Sequence, residues 1–214
     1  MKKIIMVFMA LFMLCGCAKY KMVVNVDGDG KVDASLKSLI SEEALLSQNM
    51  TKDEAISAMK KSLVGNNEEA TVKEIKEEIN HKTYYGLSIT NIKTKSIKST
   101  VKDGKISVDI PVDALISSIK SGLPNMSLKS IKKLGGEVSI VVNMPTSATS
   151  TVGKVNGKQV KVDLLDLAYN NKEVKSIHVT CEKEDYTGIV AGIVLVIIVL
   201  AGVLVMMKRK QKID

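Results

Sequence analysis

The sequence predicts an α+β fold with a mostly antiparallel sheet, two to four short helices and one C-terminal transmembrane helix. Apolar residues alternate with polar ones in runs such as 106–110, which is the period of a half-buried strand. The pairs Asp103-Gly104 and Asn156-Gly157 stand between such runs, and both are typical of two-residue hairpin turns. Thr51 and Glu54 have the spacing of a capping box, which predicts the start of a helix.

The N-terminal half contains both strand and helix patterns. Residues 21–26 and 31–36 predict two strands, and an amphipathic helix follows Thr51, with Gly65 just beyond its end. A second capping box begins at Thr71 and predicts a further short helix that reaches Ile79.

The C-terminal half is mostly strand. Residues 127–134 predict a short amphipathic helix, and residues 138–144 predict an apolar strand that ends at Pro145. The Ser/Thr-rich stretch 144–152 is the most irregular loop and a candidate binding loop. Alternation over 177–181 predicts the last strand.

The first sixteen residues predict a lipoprotein signal peptide. Two lysines precede an apolar run of eleven residues, 4–14, which is too short to span a bilayer but has the length of a secretory signal. The run ends in Leu14-Cys15-Gly16-Cys17, which resembles a bacterial lipobox. We therefore expect cleavage after Gly16 and lipidation of Cys17, while Cys15 is a poor candidate because the bulky Leu14 precedes it.

A second anchor is predicted near the other end. Residues 188–207 are twenty residues without a charge, about the length that crosses ~30 Å of hydrocarbon. The basic tail 208–214 follows, so the positive-inside rule predicts a cytoplasmic C-terminus. We thus expect a single-pass protein of the cell membrane, with residues 17–187 as a domain on the extracytoplasmic face.

Composition argues against nucleic acid as a partner. The net charge is +8, but six of the 31 basic and one of the 23 acidic residues lie in the two predicted ends, which leaves +3 elsewhere. Charges of both signs are interspersed there, unlike a nucleic-acid footprint. Both Phe residues lie in the signal peptide and Trp is absent, so aromatic stacking platforms for bases or sugars are scarce.

We assign no catalytic residue, no metal ligand and no cofactor. His81 and His178 are far apart in sequence, and strand alternation predicts that His178 faces solvent. Cys181 alternates with Ile177 and Val179, which favours a small core residue over a reactive thiol. No nucleophile elbow or phosphate-binding glycine loop is present.

The stretch NVDGDGKVDASL, residues 25–36, resembles a calcium loop. Leu36 occupies the twelfth position, where a bidentate carboxylate is required, and the flanking residues alternate like strands. A hairpin turn is therefore favoured, with weak Ca²⁺ binding as the alternative.

Several of these stretches together resemble the LppM-domain lipoproteins of Gram-positive and mycobacterial envelopes. They are the lipobox cysteine followed by KYKMVVNVDGDGKVD, then TYYGLSIT, then GGEVSIVVNMPTSATSTVGKVNGKQVKVDL, a spanning segment and a basic tail. The resemblance implies an α+β envelope domain without known catalysis that is associated with a lipid or glycolipid. It carries over only one residue, Cys17.

Two functional hypotheses follow. The first is a non-catalytic lipoprotein that binds an envelope lipid, a glycolipid or a membrane partner, through a groove of Val, Ile, Leu and Met side chains. The second is a structural or assembly factor of a membrane protein complex that acts through the transmembrane helix.

Overall fold

The computed structural model describes residues 18–63, 69–92, 96–122, 127–170 and 173–183. Up to Glu182 the chain forms one compact unit, and of the second unit, 183–214, only Lys183 is described. Cys17 and the predicted transmembrane segment 188–207 lie outside the described residues. Among the helices that are described, none has the length and apolarity needed to cross a membrane.

Strands dominate the described chain. The strands are β1 (Ala18–Val26), β2 (Val32–Ser41), β3 (Thr71–Ile79), β4 (Lys82–Thr90), β5 (Lys98–Lys102), β6 (Lys105–Pro111), β7 (Glu137–Asn143), β8 (Ala148–Ser150), β9 (Lys154–Asn156), β10 (Gln159–Asp163) and β11 (Ser176–Glu182). The helices are α1 (Glu42–Ser47), α2 (Lys52–Leu63), α3 (Asp113–Gly122), α4 (Leu128–Lys133) and α5 (Leu164–Tyr169).

The strands form two sheets. The large sheet has seven strands in the order β3-β4-β2-β1-β7-β10-β9, and the small sheet has four in the order β5-β6-β11-β8. Strands β1 and β7 pair in parallel, and the other paired strands are antiparallel. The predicted α+β class with a mostly antiparallel sheet is therefore confirmed, although the strands are divided between two sheets.

One apolar core joins the two sheets and the helices. In β1 the buried residues Ala18, Tyr20, Val24 and Val26 alternate with more exposed ones, so one face of the large sheet is buried. The small sheet buries Ile106, Val108, Ile110, Ile177, Val179 and Cys181 into the same core cluster. The predicted location of Cys181 in the core is thus confirmed.

The helices differ from the prediction in number and in one position. Helices α2 and α4 lie where they are expected, and the Thr51 capping box is formed, because Glu54 N donates to Thr51 Oγ1 and Thr51 N donates to the Glu54 carboxylate. The predicted helix after Thr71 is wrong, since residues 71–79 form the edge strand β3. Helices α1, α3 and α5 are not anticipated, so the described chain has five helices rather than two to four.

The predicted hairpins are confirmed. Asp103 and Gly104 both have positive φ between β5 and β6, as a type I′ turn requires. Gly157 has φ +57° between β9 and β10. The irregular loop 144–152 contains the short strand β8, which pairs with β11.

Candidate functional site: an apolar groove

An apolar groove lies on the buried face of the large sheet, beside helix α3. Its volume is about 170 Å³. The lining residues come from β1, β2, β7 and two helices: Tyr20, Met22, Leu36, Val138, Ser139, Ile140, Leu115, Ile119 and Leu164. The three central strands are in register at the groove, because Met22 is opposite both Leu36 and Ile140.

The two polar side chains of the lining already have partners. Ser139 alternates with Val138 and Ile140, and its hydroxyl donates to Glu137 (3.1 Å). The hydroxyl of Tyr20 is hydrogen-bonded with Ser38, and burial raises the pKa of Tyr20 to about 12, so the phenol is neutral at physiological pH. The groove therefore offers an apolar surface and no unsatisfied group for a polar ligand.

Helix α3 supplies one wall of the groove. Its N-terminal end is fixed beside the small sheet, because the amides of Val112 and Asp113 both donate to the carbonyl oxygen of Lys175, the residue before β11 (2.9 and 3.2 Å). Ile116 and Ile119 are buried, whereas Leu115 is 36% exposed and still lines the groove. A half-exposed leucine at this place marks the side of the groove that meets solvent.

Helix α3 and its two residues that line the groove, Leu115 and Ile119, were not predicted from the sequence. The signal was present, because apolar residues recur at 115, 116 and 119, which is helical spacing. The hypothesis of a hydrophobic groove of Val, Ile, Leu and Met side chains named no residues, and the structure identifies which residues line it.

The polar residues that the sequence drew attention to lie elsewhere. His178 is on the exposed face of the small sheet, as predicted, and its Nδ1 is 2.8 Å from Asp109 Oδ1. His81 is exposed in the turn between β3 and β4, with φ +62°. In the part of the chain that is described, no three His, Cys, Asp or Glu side chains are grouped so as to hold a metal ion.

The stretch 25–36, which resembles a calcium loop, contains the first hairpin turn, between β1 and β2, as the sequence favours. Oδ1 of Asp27 accepts from the backbone amides of Asp29 (2.9 Å) and Lys31 (2.8 Å), and Gly30 has φ +77°. This carboxylate therefore stabilises the turn itself. Leu36, at the twelfth position, lines the apolar groove.

A second, polar depression lies at the edge of the large sheet near α4 and α5. Its volume is about 470 Å³, and Lys132 there bonds to both Asp163 (2.8 Å) and Asp166 (2.6 Å). Desolvation lowers the pKa of Lys132, but the hydrogen bonds and charges of the two aspartates outweigh it and raise the pKa overall. Because its opposite charges neutralise one another, this depression is a weaker candidate site than the groove.

The fold and the groove together define an α+β domain of two packed sheets with an apolar groove beside α3. No protein-family model matches the sequence, and no curated protein matches it. The structure is similar to the NMR structure of the folded domain of LppM from Mycobacterium tuberculosis, over 79% of this chain and 91% of that chain, with 8% sequence identity and a TM-score of 0.43. LppM is also the name carried by the family that the sequence resembles.

Proposed function

We propose that the protein is a non-catalytic, membrane-anchored bacterial lipoprotein whose outer domain binds an apolar chain of an envelope lipid or glycolipid. The groove beside α3 is the observation that carries this proposal. Its side chains are apolar, and its two polar members are hydrogen-bonded within the protein.

The size of the groove limits what it can hold. A cavity of about 150 Å³ lined by aliphatic side chains accommodates benzene, so a groove of this size has room for a segment of about six carbon atoms. Entry of such a segment removes the apolar lining of the groove from water, whereas the segment itself comes from the hydrocarbon of the bilayer. We therefore propose that part of one acyl chain enters the groove while the rest of the lipid stays in the membrane.

Two anchors support a location at the membrane. A lipid on Cys17 and the apolar segment 188–207 would hold the domain close to lipid headgroups. At such a distance the local concentration of acyl chains is high, so even a weak groove would be occupied.

Photo-crosslinking tests the proposal. The full chain is reconstituted in vesicles that contain a phospholipid with a diazirine on one acyl chain, and labelled peptides are mapped by mass spectrometry. We expect labels on α3 around Leu115 and on β7 around Val138. Leu115→Trp fills the groove from its exposed side and takes the volume that an acyl segment would occupy. It should reduce this labelling at least about tenfold, which corresponds to a loss of about 1.4 kcal/mol in binding free energy.

Leu46→Trp is the matched control, because Leu46 is 71% exposed and does not line the groove. It should leave the labelling unchanged. Labelling of α3 that is equal in the Leu115→Trp protein and the wild type would contradict the proposal and favour the assembly-factor alternative.

A further inference from the structure

Strand β3 is an open edge of the large sheet. All of its residues pair with β4, and among the residues that the structure describes no strand pairs with its other side. The turn between β3 and β4 consists of Asn80 and His81, which both have positive φ (52° and 62°), as a two-residue type I′ turn requires. Ile79 and Lys82 therefore form the first hydrogen-bonded pair of the ladder.

This turn determines which backbone groups of β3 point away from β4. Hydrogen-bonded and non-hydrogen-bonded pairs alternate along an antiparallel ladder, so the odd-numbered residues of β3 bond to β4. The amide and carbonyl groups of the even-numbered residues consequently point to the open edge. These residues are Val72, Glu74, Lys76 and Glu78. Each offers one donor and one acceptor to a further strand.

Charged side chains make this edge selective. The charged residues of β3 are Lys73, Glu74, Lys76, Glu77 and Glu78. Charges on an edge strand discourage pairing with an arbitrary partner, because like charges placed opposite each other destabilise a strand pair. A strand that pairs here must therefore carry a matching pattern of charges.

The sequence of β3 is complementary to itself. An antiparallel pair of β3 with β3 of a second copy, centred on Ile75, places the outward-pointing backbone groups of the two strands opposite each other. In this register Glu74 lies opposite Lys76 of the second copy, and Lys73 lies opposite Glu77 of the second copy. The twofold axis repeats both pairs, so ion pairs flank a central contact between two isoleucines on both sides.

The neighbouring registers lack this match. A pair centred on Glu74 places this glutamate opposite its own copy, and a pair centred on Lys76 does the same for the lysine. Both registers bring like charges together, which destabilises a strand pair. The charge pattern therefore favours one partner and one register.

The existing ion pairs of the two glutamates are compatible with these contacts. Oε1 of Glu74 accepts from Lys60 (2.7 Å), and Oε1 of Glu77 accepts from Lys37. Each carboxylate has a second oxygen that can accept from a lysine of the second copy. The hydrogen bond and the charge of Lys60 hold the pKa of Glu74 below its usual value, so this carboxylate is ionised at neutral pH.

Helix α2 leaves space for a second copy. It packs over β2 and β4, because Met59 Sδ is 3.8 Å from the hydroxyl of Ser38 and Lys52 Nζ is 5.8 Å from the centre of the Tyr85 ring. The twofold axis would place both α2 helices on the same face of the joined sheet. The two β4 strands would be three strand spacings apart, about 14 Å. Helices pack at about 8–10 Å, so the two α2 helices would not collide.

We propose that β3 is a dimerisation strand through which two copies of this chain join their large sheets into one continuous sheet. The proposal does not depend on what the groove binds or on the predicted anchors. A single pair of strands buries less surface than a standard protein interface, so the dimer is weak and is best detected by covalent trapping.

Disulfide trapping of the full-length chain in detergent tests the register. In the proposed dimer the two copies of residue 75 form a non-hydrogen-bonded pair, with Cα atoms about 4.5 Å apart, a distance that a disulfide bridges. Ile75→Cys should therefore give a disulfide-linked dimer on mild oxidation, with the linked peptides mapped by mass spectrometry. The wild-type protein controls for linkage through the native cysteines.

Lys73→Cys is the matched control, because residue 73 is on the same face of the same strand and is more exposed than Ile75. In the proposed register its two copies are four residues apart along the strands, about 13 Å, which a disulfide does not span. Lys73→Cys should therefore give at least about tenfold less linked dimer than Ile75→Cys. Equal linkage of the two variants would overturn the proposal.

Charge reversal in the Ile75→Cys background tests the complementarity. Glu74→Lys places lysines opposite each other in the dimer, and Lys76→Glu places glutamates opposite each other, so each alone should lower the linked fraction about tenfold. In a mixture of the two proteins every such pair is again of opposite charge. Mixed dimers, recognised by their mass, should therefore restore the linked fraction, and a mixture that links no better than its components would overturn the proposal.

A second pair of cysteine variants keeps the test independent of Ile75, which is half-buried. Residues 73 and 77 lie opposite each other across the proposed interface, so a mixture of Lys73→Cys and Glu77→Cys should give linked mixed dimers, whereas neither protein alone should. A mixture that gives no more linkage than the separate proteins would contradict the proposed pairing.

Discussion

At the residue scale, the hydroxyl of Thr51 is the clearest single determinant of a helix. It accepts from Glu54 N (3.3 Å) and donates to the Glu54 carboxylate (2.7 Å), while its own amide donates to the same carboxylate (2.8 Å). Thr51→Ala should therefore lower the free energy of unfolding by about 1 kcal/mol, measured by urea denaturation. Thr71→Ala is the matched control: it has the same T-x-x-E sequence but lies in a strand, and should change stability by less than about 0.5 kcal/mol. Equal losses would contradict this assignment.

The carboxylate of Glu54 adds a pH dependence. Its pKa is lowered, first by the hydrogen bond from the Thr51 amide and then by that from the Thr51 hydroxyl. A lowered pKa in the folded state means that the stabilisation is complete above the pKa of the unfolded chain. It is lost as the pH falls through the lowered value. The stability difference between wild type and Glu54→Gln should accordingly shrink in acid, and a difference that is constant from neutral to strongly acidic pH would contradict this.

Gly86 is a position where only glycine fits. It is opposite Leu39 in the pairing of β2 with β4, and a Cβ added there would overlap the carbonyl oxygen of Ser38. Since that oxygen belongs to the central part of the sheet, Gly86→Ala should cost about 3 kcal/mol in unfolding free energy. Gly28→Ala has no atom within 4 Å of the added Cβ and should cost little, so similar costs for the two variants would refute this reasoning.

At the element scale, Asp163 and Asp166 have unequal roles although both bond to Lys132. Asp163 is also the N-cap of α5, where its carboxylate accepts from the amide of Asp166 (3.1 Å). Both ion pairs are exposed and contribute little on their own. Asp163→Ala should therefore reduce stability by about 1 kcal/mol more than Asp166→Ala, measured by thermal and urea unfolding. An equal reduction would mean that the ion pairs, and not the cap, fix α5.

The element scale also shows how far the sequence was informative. Strands with one buried face, such as β6, and turns with Asp103-Gly104 were predictable because alternation and positive φ leave local signals. The stretch 71–79 was wrongly predicted to be a helix, because Val72, Ile75 and Ile79 have helical spacing after a capping box. Its nine paired positions along β4 outweigh that preference, and such pairing depends on residues distant in sequence. The groove is assembled from three strands and two helices that are distant in sequence, so its members could not be grouped from sequence alone.

At the scale of the whole molecule, the two predicted anchors are expected to be redundant for attachment. Cys17→Ala removes the lipid but keeps the apolar segment 188–207, and a chain that ends at Asp185 removes that segment but keeps the lipid. Each single change should leave the protein in the membrane fraction. Because one acylated residue alone binds less permanently than two anchors, the shortened chain should be released partly by washing, and the double variant completely.

Redundant attachment does not mean equivalent attachment, because an acyl anchor exchanges more readily than a segment that spans the membrane. Metabolic labelling with palmitate, absent in Cys17→Ala, verifies the lipid itself. If palmitate still labelled the Cys17→Ala protein, the lipid would be on another residue, and the prediction for Cys17 would be wrong.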